Sequence, residues 1–504
     1  MIITFGLVAL FCVVVIVILQ RAHISDRSFT DYAVGGRSFG PVYQAMSFLN
    51  TWWPGATFLS ATGFAASAGV IGFYSAIYSL LTVVLMYLLA QRVWLWGKAY
   101  DLRTQPDLLV LRFRSRWLAV ITSVIGIVSS VPWLVLGFQS LGDLFEQLSL
   151  GKLGFTTAVL IGVAVMVIRQ FWTIRMGMRG VIISDLFQGI VAYIGGTLLL
   201  LGLVAWLVWG KGITLGSVSA AHFGLPGLGS AQGPLYVFAI LFTGALGGWC
   251  WPSIFIRLYT ADSVKTVLKA GAIGAPLSVI FALALGVLGL LASPLPEITA
   301  HPDMMWFTIA HLAGGPVLLG LAGVVVLAAT MGNVDGNIQA MGAQVSNDIV
   351  GGFKPLGYKS SMIIAKVSMA VVTVISAWIS CYHVPHLFEL AILAYQGIIQ
   401  IAVPLYLGIF WKRGNAAGAI TGMVVGFIVA VCLQLGWLGS MTWAYGLTSG
   451  AVGIAVNLLI YVAAAYLIPM KAAERARVNA IFAATDGDAA GLPVSDSVLA
   501  GAVK

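Results

Sequence analysis

The chain has 504 residues, of which 60% are hydrophobic and only 9% are charged. A soluble domain carries about a quarter charged residues, so this composition excludes a soluble globular protein and indicates a helical membrane protein with many spans. The net charge of +9 does not indicate nucleic-acid binding, because the basic residues are scattered over short segments and form no patch. The expected surroundings are therefore a lipid bilayer.

Apolar segments long enough to cross a bilayer follow one another along the whole sequence. One crossing needs about 20 apolar residues in a helix. The first segment starts at Ile2 without a basic flank or a cleavage site, which indicates a span and not a signal peptide. The pattern predicts thirteen spans, near residues 2–20, 41–68, 70–97, 117–147, 153–170, 179–209, 234–259, 266–293, 314–346, 360–382, 387–411, 415–437 and 442–468.

The basic residues predict the orientation of these spans. With the N-terminus outside, every Lys and Arg except Lys152 and Lys211 falls in a cytoplasmic segment, as the positive-inside rule requires. This assignment places Arg169 and Arg257 at cytoplasmic helix ends. The tail from about residue 470 is rich in Ala, Asp, Gly and Ser. It is predicted to be disordered and cytoplasmic.

Two spans contain helix breakers near their centres. Pro54 and Gly55 interrupt the second span, and Gly247, Gly248 and Pro252 interrupt the seventh. Breaks five spans apart are typical of transporters built from two inverted five-helix halves, in which unwound backbone binds ions and substrate. The alternative is a pair of ordinary proline kinks, which are common in membrane helices.

Two aspartates, Asp185 and Asp335, fall inside these hydrophobic segments. A carboxylate at the bilayer centre costs roughly 3 kcal/mol on insertion scales. We therefore expect both to lie on an ion or substrate path. The alternative is a structural role, in which each carboxylate is paired or caps a helix.

Five short motifs occur in a characteristic order: DYAVGGRSFGPVYQAMS, TQPDLLVLRFRS, VIISDLFQG, IRLYTADSVKTVLKAG and IFWKRGNAAGAITG. Together they make the chain resemble the sodium:solute symporter family between about Asp31 and Gly422. The resemblance implies an all-α membrane fold of the leucine-transporter type, with a five-plus-five inverted repeat. The implied domains are a leading helix and loop at 1–30, a transport core at 31–411, two trailing helices at 412–469 and a tail at 470–504.

The resemblance also implies a sodium site between the first broken helix and the eighth core helix. Its carbonyl ligands would come from Trp53, Ala56 and Ala329. Two hydroxyl ligands typical of the family are replaced by Gly332 and Asn333. Only Asn333 could offer a side-chain oxygen to a hard cation.

The sequence therefore allows two alternatives for the identity of the coupling ion. Sodium is held by a rearranged set that includes Asn333, Asp335 and Asp185, or a proton titrates one of the two carboxylates, whose pKa burial would raise. The predicted ion-binding residues are Trp53, Ala56, Thr57, Asp185, Ala329, Gly332, Asn333 and Asp335.

The substrate pocket is predicted at the two breaks, near the bilayer midplane. Because no Lys, Arg or His stands at either break, the pocket suits a neutral or zwitterionic solute, or a small carboxylate held by helix N-termini and amides. Glu389, His383 and His386 are interpreted as interface residues or an outer gate. The predicted substrate-binding residues are Asn50, Thr51, Trp52, Gln139, Gly248, Trp249, Tyr395 and Gln396.

The sequence thus predicts a secondary active symporter of a bacterial-type inner membrane. It would couple a sodium gradient to the uptake of a small organic solute, such as an amino acid or a monocarboxylate, with one chain as the transport unit. No Walker loop, HExxH or CxxC motif occurs, so we expect neither an enzyme nor a cofactor beyond the coupling ion. Two alternatives remain: a proton-coupled or uncoupled transporter of the same fold, and a transporter-derived solute sensor.

Overall fold

A computed structural model describes residues 1–22, 28–382 and 387–486. The predictions for His383, His386 and the tail beyond 486 lie outside the described residues. Within them the chain is helical, with one isolated bridge between Phe39 and Ala261. The α-helices are α1 (Ile2–Arg21), α2 (Phe29–Val34), α3 (Pro41–Trp52), α4 (Ala56–Ala68), α5 (Tyr74–Ala99), α6 (Gln105–Phe113), α7 (Arg116–Leu148), α8 (Phe155–Gly189), α9 (Gly196–Ala205), α10 (Tyr236–Gly247), α11 (Pro252–Phe255), α12 (Arg257–Thr260), α13 (Val264–Ala292), α14 (Pro296–Ala300), α15 (Met305–Gln344), α16 (Tyr358–Ser380), α17 (Leu387–Ile398), α18 (Ala402–Phe410), α19 (Ala416–Gln434), α20 (Ser449–Leu467) and α21 (Ala472–Asp486).

Ten helical stretches of the described chain are long and apolar enough to cross a bilayer, or eleven when one bent pair counts as a single span. Ala56–Ala99, Phe155–Gly210 and Pro302–Val350 are 44, 56 and 49 residues long. At 1.5 Å per residue each exceeds the length of one crossing. Each contains a glycine in the left-handed region, Gly69, Gly177 or Gly315. The prediction of an all-helical, polytopic membrane protein is confirmed.

Both predicted helix breaks are present. The first lies between α3, which ends at Trp52, and α4, which starts at Ala56. In the second, α10 ends at Gly247 and α11 begins at Pro252, and the two halves are bent by 57°. Both breaks pack on α15, which also contacts α7 and α8 and so forms the centre of the bundle.

Gly55 explains why the first break can approach α15 so closely. A Cβ built on Gly55 would overlap Thr330 Oγ1 and the carbonyl oxygen of Val326. Only a residue without a side chain fits there. Pro54 has no backbone N–H to donate, which ends the hydrogen-bond ladder of α3 at this point.

The predicted cytoplasmic loop between the fifth and sixth spans is wrong in one respect. Helix α8 continues through it, and only Gly177, with φ 60° and ψ −149°, leaves the helical region. A Cβ on Gly177 would overlap the carbonyl oxygen and ring of Tyr32 in α2, so the chain bends tightly against that helix. The prediction that Arg169 lies at a cytoplasmic helix end is therefore wrong: Arg169 lies within α8 and is 2% exposed.

The prediction of a disordered tail from residue 470 is wrong for α21. This helix buries Val478, Ile481 and Phe482, each 1% exposed. Trp96 Nε1 donates to the Ile481 carbonyl at 3.0 Å, and Arg477 Nη1 donates to the Leu111 carbonyl at 2.6 Å. These contacts fasten α21 to the ends of α5 and α6.

Candidate functional site

The polar centre of the protein is the segment 331–337 of α15, with the sequence MGNVDGN. Residues four apart lie on the same face of a helix, so this segment divides into three stripes. Every residue of the segment is buried. The stripes are Met331 with Asp335, Gly332 with Gly336, and Asn333 with Asn337.

The first stripe contacts Arg169 of α8. The Arg169 guanidinium forms an ion pair with Asp335, and both side chains are at most 2% exposed. Arg169 also donates to the Met331 carbonyl at 3.1 Å and to Ser184 Oγ at 2.7 Å. Asp335 is thus a paired acid, which is the structural alternative considered for it above.

The second stripe leaves room for two polar side chains. A Cβ built on Gly332 would overlap Asn50 Nδ2 and approach Asp185 Oδ1. A Cβ on Gly336 would lie 2.9 Å from Arg257 Nη2. The two glycines therefore let the Asp185 carboxylate and the Arg257 guanidinium pack against the backbone of α15.

Asp185 is held by three groups of the protein. Its Oδ1 accepts from Asn50 Nδ2 at 3.0 Å, and its Oδ2 accepts from Ser47 Oγ at 2.6 Å and from Arg257 Nη2 at 3.3 Å. Arg257 Nη2 also donates to Thr51 Oγ1 at 2.8 Å. The prediction that Arg257 lies at a cytoplasmic helix end is wrong, because the bend of the second broken helix turns it into the core, where it is 3% exposed.

The third stripe joins the two breaks through hydrogen bonds. Ser253 Oγ, in α11, donates to Asn337 Oδ1 at 3.0 Å. Asn337 Nδ2 donates to the Asn333 carbonyl at 2.9 Å and to its Oδ1 at 3.2 Å. Asn333 Nδ2 then donates to the Thr51 carbonyl at the end of α3, at 2.6 Å. We call this chain of contacts the amide relay.

The ion-pair network is electrically neutral, with two arginines and two aspartates. A buried charge is tolerated when it is paired and hydrogen-bonded. The sequence did not predict these two ion pairs, because the positive-inside rule places both arginines at cytoplasmic helix ends. The available signal was their setting, since Arg169 and Arg257 each stand among apolar residues, in VMVIRQFW and SIFIRLY.

The predicted carbonyl ligands of sodium lie on two segments that pack together, the first break and α15, which meet where Gly55 contacts Val326 and Thr330. Ala56 and Thr57 begin α4, and the Thr57 amide donates to the Pro54 carbonyl at 2.9 Å. Ala329 is fully buried on the segment of α15 that faces this break. The Trp53 carbonyl accepts from the Tyr193 hydroxyl. Asp185 and Asp335, in contrast, each have an arginine as counter-ion.

A cavity of about 10 Å³ lies between the two breaks. This is room for about one water molecule. Three of its rings are almost mutually perpendicular: Trp133, Trp251 and Tyr395 make interplanar angles of 79–90° at centroid distances of 5.3–6.0 Å. Trp52 Nε1 is buried without a hydrogen-bond partner. The cavity is lined by Thr51, Trp52, Pro54, Trp133, Trp251, Ser253, Ile254, Asn333, Asn337 and Tyr395.

Three of the eight predicted substrate residues, Thr51, Trp52 and Tyr395, line this cavity. Gly248 supports its wall, because a Cβ there would overlap the Trp52 ring. Trp249 lies behind that wall, with Nε1 donating to the Thr82 carbonyl at 2.8 Å.

The three amides among the predicted residues lie elsewhere. Asn50 bonds to Asp185. Gln139 Nε2 donates to the Tyr382 carbonyl at 2.8 Å. Gln396 Oε1 accepts from the Gly450 amide at 2.7 Å and so joins α17 to α20. A buried amide needs hydrogen-bond partners, and for these three side chains the partners belong to the protein itself.

A larger cavity of about 1030 Å³ opens where α4 ends and α17 begins. We call it the vestibule. Its lining includes Phe64 and Phe388, whose rings stack at 3.8 Å. From Phe388 an aromatic series continues through Tyr74 and Tyr78 to Trp52, at centroid distances of 5.4–5.9 Å. Aromatic side chains thus separate the vestibule from the central cavity.

Two broken helices that meet around a central cavity, beside a polar helix in an all-helical membrane bundle, define a secondary transporter. The sequence profile of the sodium:solute symporter family matches residues 32–426, and the chain belongs to this family. It is a sodium-coupled solute symporter and not an enzyme, as the sequence predicted.

Individual relatives agree with this assignment. The chain is 26% identical over 458 residues to the osmoregulated proline transporter OpuE of Bacillus subtilis (strain 168), covering 85% of this chain and 89% of OpuE. It is 24% identical over 436 residues to the sodium/pantothenate symporter of Escherichia coli (strain K12), covering 83% and 88%. A Na+-coupled sialic acid symporter, solved in a substrate-bound outward-open state, shares the fold with a TM-score of 0.75 at 16% identity, covering 93% of this chain and 98% of that one.

Proposed function

We propose that this symporter takes up a small zwitterionic solute whose ammonium group carries apolar substituents. The observation that carries the proposal is the set of perpendicular rings Trp133, Trp251 and Tyr395 in the central cavity. The faces of such rings attract a cation, with about 2 kcal/mol or more per contact once water is removed. We call these three residues the aromatic box.

The remaining polar groups of the cavity suit the other end of a zwitterion. Trp52 Nε1 has an unused N–H, which would donate to a carboxylate. None of the lining residues is charged. A solute with a net charge would therefore have to be buried without a counter-ion, which is costly. The relative OpuE is a proline transporter, and proline has a ring ammonium and a carboxylate.

We assign sodium to the first break. The carbonyls of Trp53, Ala56 and Ala329 and the hydroxyl of Thr57 are neutral oxygens of the kind that hard cations prefer. Asp185 and Asp335 act on this site at a distance, because each is already paired with an arginine. Neither Gly332, which has no side chain, nor Asn333, whose Nδ2 points at the Thr51 carbonyl, is a direct ligand.

The membrane topology we propose has thirteen spans, with Gly69 and Gly177 as turning points between neighbouring spans. Residues 31–411 form a five-plus-five inverted-repeat core, preceded by α1 and followed by α19 and α20. The N-terminus and the vestibule face outside, the C-terminus faces the cytoplasm of a bacterial-type cell, and one chain is the transport unit. Alternating access then opens the central cavity to each side in turn, because in the closed form it has no room for a solute.

The test is uptake into proteoliposomes under an imposed inward sodium gradient, with labelled proline and glycine betaine as substrates. Sodium-driven accumulation of at least one is expected. Trp52→Phe removes the indole N–H and should raise the substrate KM about tenfold or more, since a hydrogen bond to a charged group is worth about 1.5–3 kcal/mol. Trp209→Phe, at a side chain that is 85% exposed, is the control. The proposal fails if neither zwitterion is transported or if both variants keep the wild-type KM.

A further inference from the structure

Asp185 and Arg257 suggest a feature of ion coupling that goes beyond the sodium site proposed above. We propose that the Arg257 guanidinium is a built-in cation that occupies an oxygen-lined site at Asp185. Removing the charge of Arg257 would then expose a second site for sodium. The native symporter would bind sodium only at the first break.

The oxygens around the guanidinium are those of a hard-cation site. Arg257 Nη2 lies 2.8 Å from Thr51 Oγ1 and 3.3 Å from Asp185 Oδ2. Ser47 Oγ contacts the same Asp185 oxygen at 2.6 Å. The Asp185 carboxylate and the Thr51 hydroxyl would thus face a cation in this position, with Ser47 orienting the carboxylate, and water in the volume left by a shortened side chain could complete the shell.

The space beside Asp185 fits the Arg257 guanidinium closely. Gly336 lies directly against Arg257 Nη2, and a Cβ there would be 2.9 Å from it. Asn50 fixes the other carboxylate oxygen at 3.0 Å, so that Oδ2 stays turned towards Arg257. Both charged side chains are at most 2% exposed.

Within the described part of the chain, Arg257 is the arginine that forms an ion pair with Asp185. Arg169 is the second arginine of the network, and it already pairs with Asp335. The neighbours of Asp185 on α3, Ser47 and Asn50, are neutral. Without the Arg257 charge the network would carry one uncompensated negative charge, which a buried site tolerates poorly. A monovalent cation of suitable size would restore neutrality.

The experiment compares thermal unfolding of the purified, full-length protein in detergent across titrations of sodium chloride and choline chloride. Wild type should show a single-site sodium stabilisation. Arg257→Gln should be less stable in choline and should gain a sodium-dependent shift about twice that of wild type, because two sites of similar affinity add their binding free energies. Arg257→Lys retains the charge and should keep the wild-type shift.

The double variant Arg257→Gln with Asp185→Asn is the matched control. It is neutral without a cation, so its sodium response should return to the single-site shift. An Arg257→Gln response equal to that of wild type, or an extra response that survives in the double variant, overturns the proposal. If Arg257→Gln cannot be recovered in choline, recovery of folded protein in sodium supports the proposal, and equal loss in both salts contradicts it.

The outcome separates this inference from the sodium site at the first break. If wild type shows no sodium stabilisation while Arg257→Gln gains it, the built-in cation stands and the assignment of sodium to the first break fails. If sodium stabilises wild type and stabilises Arg257→Gln by the same amount, the sodium site at the first break stands and the built-in cation is contradicted.

Discussion

Gly332 lies so close to the Asn50 side chain that a methyl group on its Cα would overlap Asn50 Nδ2. The same methyl group would approach Asp185 Oδ1. This contact gives a physical reason for the missing hydroxyl at position 332: the space is taken by the amide that orients Asp185. A serine restored there would displace Asn50 before it could bind an ion.

Gly332→Ala is therefore expected to destabilise the protein by about 1–3 kcal/mol, the usual cost of overpacking a buried site. Thermal unfolding in detergent measures this change, and sodium-driven uptake should fall with it. The control is Gly202→Ala in α9, where a Cβ meets nothing within 4 Å. Equal melting temperatures for the two variants would show that the Asn50 side chain can move aside without a loss of stability.

The sequence predicted the helices and both breaks because those features depend on local properties, namely apolar length and the positions of Pro and Gly. It could not predict partners. Asp185 and Asp335 were recognised as unusual, yet the arginines that pair with them are 72 and 166 residues away in the chain. Arg257 reaches Asp185 only because the second broken helix bends by 57°, and no local pattern records the direction of that bend.

The central cavity shows the same limit. Thr51, Trp52 and Tyr395 were predicted from their positions near a break or at depth, and they line it. Trp133 and Asn337 were missed, since each becomes part of the cavity only when α7 and α15 pack beside the breaks. The tail was misjudged because the composition of residues 487–504 dominated the interpretation of the helical segment before them.

The Asp335–Arg169 pair should be more sensitive to loss of one partner than to loss of both. Asp335→Asn leaves the Arg169 charge buried alone, and breaking a buried pair in this way costs about 3–5 kcal/mol. Arg169→Met combined with Asp335→Leu removes both charges and should be clearly more stable than Asp335→Asn. Thermal unfolding decides between them. As a control, Asp101→Asn disrupts a pair with Arg103 in which Asp101 is 55% exposed, and it should cost at most about 1 kcal/mol.

The amide relay predicts a coupling between the two breaks. Asn337→Ala removes the acceptor of Ser253 and the donor to Asn333, and it should raise the KM for the transported zwitterion. Because the two side chains share one hydrogen bond, Asn337→Ala and Ser253→Ala should be non-additive by about 0.5–1.5 kcal/mol in a double-mutant cycle on kcat/KM. Ser67→Ala, at an exposed serine of α4, serves as the uncoupled partner. If the effects of Asn337→Ala and Ser253→Ala on kcat/KM are additive, the amide relay does not take part in transport.

The docked helix α21 predicts that the C-terminal segment contributes to stability. Phe482 is 1% exposed, and the cations of Arg92, Arg112 and Lys412 lie 5.1–5.8 Å from its ring. Phe482→Ala should destabilise the protein by about 3–5 kcal/mol and make α21 a site of early proteolytic cleavage. Phe171→Ala, at a ring that is 64% exposed, should change neither. Cleavage at the same rate in both variants would mean that α21 does not stay docked in solution.

Asp107 lies outside the spanning helices, at the start of α6. Its surroundings predict that the stability of the protein depends on pH. Its Oδ2 accepts from the amides of Arg103 at 2.8 Å and Thr104 at 3.2 Å, and its Oδ1 accepts from Asn347 Nδ2 at 2.8 Å. Asn347 also donates to Asp348 Oδ1 at 2.8 Å, so the half-buried carboxyl group of Asp107 and the buried one of Asp348 share one amide. Burial outweighs these hydrogen bonds and raises the pKa of Asp107 above its usual value.

The sign of the effect follows from the direction of that shift. A carboxyl whose pKa is higher in the folded protein than in the unfolded chain favours folding in its protonated form. Its contribution to stability is complete below the unfolded pKa, about 3.9, and is lost as the pH rises through the folded pKa. The side chain at position 107 cannot titrate in Asp107→Asn. The melting temperature of this variant minus that of wild type should therefore increase as the pH is raised through this range. If the Asp107→Asn and wild-type curves stay parallel from pH 4 to 8, Asp107 is charged throughout and its hydrogen bonds outweigh its burial.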